Sequence, residues 1–79
     1  MHNNIAETIT KIIAEIAFID VGEIDAADTL TALGIDSLKT VELMVQLEDR
    51  FGIVFQDSDL NPETLNTVQS IIELVEKYV

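Results

Sequence analysis

Ser37 is the residue of this chain best placed to take part in a reaction, and nothing else in the sequence can activate it. It stands in Leu33-Gly34-Ile35-Asp36-Ser37-Leu38. There a loop ends at a glycine, an acid takes the N-cap position, and a hydroxyl follows on the first helical turn. The single histidine, His2, lies almost at the N-terminus, where a histidine is far more often solvated than catalytic. Cysteine is absent. The chain therefore offers no Ser-His-Asp or Cys-His arrangement and no zinc-ligand spacing. Gly22, Gly34 and Gly52 are too scattered to match a dinucleotide or phosphate-binding loop. An exposed hydroxyl with no base is a group for another protein to modify, or simply a second capping group.

Asp57, Asp59 and Asn61 have the opening spacing of a calcium-binding EF-hand loop. Pro62 then occupies the place that needs glycine, and Val68 that of the bidentate glutamate. No metal site is expected; the acids suit the start of a short helical turn. The other carboxylates have no aromatic-rich cleft around them and read as solvated faces.

Three segments must position Ser37. Residues 4–17 carry Ile5, Ile9, Ile12, Ile13 and Ile16 at helical spacing, with Asn4 and Glu7 as a capping pair. Residues 37–51 form a second helix, with Asp36 as its N-cap and Gly52 as its stop. Residues 67–78 form a third, capped by Asn66 and Gln69, with Val68, Ile71, Ile72, Val75 and Val79 as its apolar stripe. A short helical turn is expected over 57–61, with Pro62 against its continuation. The connection 18–35 is long. Ile19, Val21, Ile24, Leu30 and Leu33 should pack it over the helices as an ordered lid, and Phe18, Phe51, Phe55 and Tyr78 should join the aliphatic core. No segment alternates as a strand. The expected architecture is all-α: a four-helix bundle of three long helices and one short, with a long crossover, as a single domain over residues 1–79.

The second helix has two apolar sides. Leu43, Met44, Leu47 and Phe51 cluster on the side expected to face the core. Leu38, Val41 and Val45 cluster on another, beside Glu42, Glu48 and Asp49. That second set either lies under the long loop or is a docking face. Burial under the loop would desolvate the flanking acids, which favours docking to a partner with a basic groove.

Fifteen acidic residues against four basic ones give a formal net charge of -11. Such a surface repels nucleic acid and attracts basic protein patches, although acidity can also serve solubility alone. No signal peptide, lipidation motif or membrane-spanning apolar run is present among the 79 residues. The absence of cysteine fits a reducing cytoplasm, and a soluble monomer is expected there.

The string around Ser37, continuing through Thr40-Val41-Glu42-Leu43, resembles the signature of acyl and peptidyl carrier proteins. Leu47-Glu48-Asp49-Arg50-Phe51-Gly52-Ile53 is similar to the end of that family's second helix. Asp57-Ser58-Asp59-Leu60 with Thr67-Val68 is similar to its short third helix and the start of its last. The resemblance covers essentially the whole chain, at the length of a free-standing carrier. It implies a right-handed four-helix bundle and no catalytic activity. It also implies a phosphopantetheine arm, installed on Ser37 by a phosphopantetheinyl transferase from coenzyme A and magnesium, with Asp36 helping to hold that magnesium. The arm would bear an acyl or aminoacyl thioester, taken from a loading enzyme to downstream synthases or tailoring enzymes with basic docking patches. The same match maps Leu38, Val41, Glu42, Val45, Glu48, Asp49 and Phe55 onto the partner surface. A carrier needs no base of its own, and helix N–H groups tolerate a phosphodiester.

Lys39 stands where fatty-acid-synthesis members usually carry an acid, and Phe55 is bulkier than the usual aliphatic residue. With Asn61-Pro62-Glu63-Thr64, these departures lean toward a specialised carrier of polyketide or nonribosomal-peptide type. The competing readings are an acidic helical adaptor without a prosthetic group and a calcium-responsive module.

Overall fold

The computed structural model describes residues 4–79, with side chains from Ile5 onward; His2 and the Asn4 side chain, with its expected cap, lie outside the described part. Three α-helices and two short turns of 3₁₀ helix make up the regular structure of these residues: α1 (Asn4–Ala17), a turn at Val21–Glu23, α2 (Ser37–Phe51), a turn at Asp57–Asp59, and α3 (Val68–Glu76). The expected fourth helix is thus a single 3₁₀ turn. Pro62 disfavours helical backbone at Asn61, and Leu60 has already left it, at φ -97° and ψ 63°.

The three apolar stripes meet in one core. Ile9, Ile12, Ile13 and Ile16 come from α1, Leu43, Met44 and Leu47 from α2, and Val68, Ile71, Ile72, Leu74 and Val75 from α3. Leu74, not anticipated, is buried, whereas Val79 and Val21 are exposed. Phe51 and Tyr78 are half-buried against the core and Phe55 is inside it. Phe18 is outside it, 87% exposed.

The long loop is fastened by its own backbone. The N–H groups of Val68 and Gln69, which the first turn of α3 cannot satisfy internally, donate to the Asp28 and Ala26 carbonyls at 3.0 and 2.9 Å. Leu30 N–H donates to the Asn66 carbonyl at 3.0 Å, and Thr29 and Thr67 form an isolated antiparallel bridge. This pairing holds Thr67 extended, at φ -123° and ψ 166°, and delays the helix. Thr67, not Asn66, is the cap: its hydroxyl accepts from Ser70 N–H at 3.1 Å while the Ser70 hydroxyl accepts from Thr67 N–H at 2.9 Å. With Leu30, Leu33 and Ile35 buried beneath it, the loop is the ordered lid expected of its apolar spacing.

Three turns close on the same backbone bond, an N–H reaching back five residues to a carbonyl with a left-handed residue just before the donor. Ile35 N–H reaches Leu30 after Gly34, and Ile53 N–H reaches Glu48 after Gly52. Ile19 N–H reaches Ala14 after Phe18, whose φ is 59°. Glycine adopts that conformation freely; for an L-residue it costs about 1–2 kcal/mol.

Candidate functional site

Residues 30–40 build the site. The turn that buries Leu30 and Ile35 ends at Gly34, at φ 81°, and turns the chain toward α2. Asp36 is extended, at φ -86° and ψ -172°, and its Oδ1 accepts from Lys39 N–H at 2.9 Å. Its carbonyl accepts from both the N–H and the hydroxyl of Thr40, at 2.8 Å each. Ser37 is thereby the first residue of a helix of 15 residues, with an exposed side chain. The expected cap and hydroxyl are both in place.

An open cleft of about 620 Å³ lies beside Ser37. One segment lines it with Leu30, Thr31, Gly34, Ile35, Asp36, Ser37 and Thr40, the other with Leu60, Asn61, Pro62 and Leu65. The second segment was not legible as part of the site, because residues far apart in sequence carry no spacing signal. Asn61 shapes it: its side-chain N–H donates to the Ser58 carbonyl at 2.9 Å, and its Oδ1 accepts from Thr64 N–H and hydroxyl at 3.0 and 3.1 Å.

From Ser37 onward α2 shows an apolar, acid-flanked face. Leu38, Val41 and Val45 are 80, 60 and 57% exposed, so the loop does not cover them. Glu42 and Asp49 are exposed beside them. Two residues expected on this face belong elsewhere. Glu48 is half-buried, and its Oε2 accepts from Phe55 N–H at 2.8 Å, holding the chain that leaves α2. Phe55 is 6% exposed and packs edge-to-face on Tyr78, with ring centroids 5.5 Å apart. The loop that Glu48 fixes turns this ring inward, so it is unavailable as a surface contact.

The Asp57–Asp59 turn is pinned to the end of α3. Asp59 Oδ2 accepts from the Tyr78 hydroxyl and, at 3.3 Å, from Gln56 N–H. Asp59 Oδ1 accepts from Lys77 Nζ at 3.2 Å. The Tyr78 hydroxyl holds the Asp59 carboxyl below its ordinary range against the opposing effect of burial, with lesser help from the Lys77 ammonium and Gln56 N–H. The same bond to a carboxylate pushes the Tyr78 phenol up. Asp59 and Asn61 of the calcium-like spacing are thus both engaged within the protein. Among the described residues no group of histidines or carboxylates is gathered in a way that could hold a metal ion. Among the described residues no helix is long and apolar enough to cross a membrane.

The family described as "Phosphopantetheine attachment site" matches residues 7–75. The chain belongs to this family of carrier proteins. A D-alanyl carrier protein of Streptococcus suis (strain 98HAH33) is 44% identical to this carrier over 69 residues, 87% of each chain. The chloroplastic acyl carrier protein 1 of Cuphea lanceolata is 35% identical over 75 residues, 90% of this chain and 52% of its own. Membership makes the carrier non-catalytic, with phosphopantetheine as its covalently attached prosthetic group. Carrier proteins of this kind work with a phosphopantetheinyl transferase and with acyl-handling enzymes.

Proposed function

We propose that this carrier bears phosphopantetheine on Ser37 and passes a thioester-bound aminoacyl or acyl group between enzymes that dock on α2. One observation carries the reading: Ser37 is exposed at the start of α2, which its neighbour Asp36 caps, and it opens onto a cleft. Attachment proceeds when Ser37 Oγ bonds to the phosphorus bearing the pantetheine half of coenzyme A. The pyrophosphate bond breaks, the adenosine bisphosphate half leaves, and the seryl proton passes to a base on the transferase. The phosphodiester would lie by the free N–H groups of the first turn of α2, which favour an anion. The arm supplies a terminal thiol to hold the cargo. The names of the Streptococcus suis relatives weigh toward an aminoacyl cargo such as D-alanyl, away from the polyketide-type pathway suggested by Lys39 and Phe55. A small cargo also fits a core already filled by Phe55 and Tyr78.

Incubation with coenzyme A, magnesium and a broad-specificity phosphopantetheinyl transferase tests the assignment by intact mass. A single added arm, lost in Ser37→Ala, is expected. No gain in the wild type, or a gain that survives in Ser37→Ala, overturns it.

A further inference from the structure

Three local preferences are broken within one small region. Phe18 takes the left-handed position that glycine takes in the two other closures of the same kind, Gly34 and Gly52; a bulky residue there is an outlier. Phe18 is 87% exposed, the most exposed large apolar residue among the described residues. Lys39 sits on the first turn of α2, where the helix dipole disfavours a cation. The broken preferences meet: Lys39 Nζ lies 5.4 Å from the Phe18 ring centroid, within cation–π range. The fold gains little from this, since a ring in solvent contributes almost nothing to the core. Local rules broken without a structural return point to function.

We propose that Phe18 and Lys39 form a paired anchor received by the phosphopantetheinyl transferase that acts at Ser37, an inference that rests on Ser37 being the attachment residue. The transferase must bring its reacting groups to Ser37 Oγ. A specific interface covers about 800 Å² on each partner, a disc about 16 Å in radius. Centred on Ser37, it takes in Lys39 two residues on, the ring beneath its ammonium, and Leu38. The charges define the partner. It has a ring-sized apolar pocket for Phe18, a carboxylate at its lip for Lys39, and basic groups beyond for Glu42 and Asp49. A uniformly basic surface would meet the Lys39 ammonium as a like charge, so Lys39 also filters partners.

The test is steady-state modification of the full chain by the transferase of its own host, with coenzyme A and magnesium, in wild type, Phe18→Gly, Lys39→Glu and the double variant. Glycine relieves the left-handed strain and glutamate suits the first turn of a helix, so thermal melts of the variants should stay close to the wild type. Each single variant should raise KM about tenfold, the size of an interface hot spot, with kcat within about twofold. The double variant should lose less than the product of the two, as groups acting together do. An unchanged KM in either single variant, or independent losses in the double, overturns the paired anchor. No mass gain in the wild type is a different result: it removes the Ser37 assignment and this proposal with it.

Discussion

Asp36 has a structural role and, by the family resemblance, a chemical one, and two substitutions separate them. Alanine removes the acceptor for Lys39 N–H and should cost about 1 kcal/mol, lowering the melting temperature by about 4–8 °C in a domain of this size. Asparagine caps a helix as well as aspartate does. Asp36→Asn should therefore melt like the wild type, and should still slow phosphopantetheine transfer if the carboxylate charge holds the transferase's magnesium. Calorimetry and a mass time course check the two halves. Phe55 and Phe18 show the limit of reading single residues. Both are simply large and apolar in the sequence. Which one is inside depends on a backbone angle at one and on the Glu48 carboxylate at the other, and neither is encoded in apolar spacing. Phe55→Ala should destabilise by about 3–5 kcal/mol, as loss of a buried ring does, measurable by urea unfolding.

At the scale of elements, α1 and α2 were legible because an apolar stripe and a cap signal coincide in each, and in α2 a glycine stop as well. The start of α3 was not, because Asn66 is the stronger cap by residue type, and a pairing of residues 66 and 67 with residues 29 and 30 moves the start to Thr67. The Asp57–Asp59 turn was expected at its place, but its tie to α3 was not, since it joins residues 18 and 19 positions apart. That tie titrates. The Tyr78 hydroxyl holds the Asp59 carboxyl below its ordinary value of 3.8, so the native state favours the ionised form more than the unfolded chain does. The resulting stability is present above that value and lost as pH falls through the lower native one. The Tyr78 phenol is raised above 10.0, so its share holds below that pH and is lost as pH rises through the native value. Asp59→Asn removes the ionisable partner. Its deficit against wild type in urea should be largest near neutral pH and shrink between pH 4 and 2. A constant deficit would mean that packing, not charge, holds the turn.

Across the whole molecule, the charge of -11 sits on a body of 29 × 26 × 19 Å. At about 0.01 M salt the screening length is about 30 Å, so every carboxylate feels every other and repulsion opposes the compact state. At about 0.15 M it falls to about 8 Å, and only near neighbours still interact. The unfolded chain spreads the same charges further apart and gains less from screening. Added sodium chloride should therefore raise the melting temperature over this range by several degrees, on the order of 1 kcal/mol. Weakening of the Lys77–Asp59 pair, whose lysine is exposed while its aspartate is half-buried, acts in the opposite sense but is one contact against the repulsion of many charges. The same screening should slow encounter with a partner whose docking surface is basic. Salt thus moves stability and association in opposite directions, and melts and stopped-flow binding in one salt series would read both. If stability rises while the association rate stays constant, the acids serve solubility alone. If both respond, the acidic face of α2 steers partners toward Ser37.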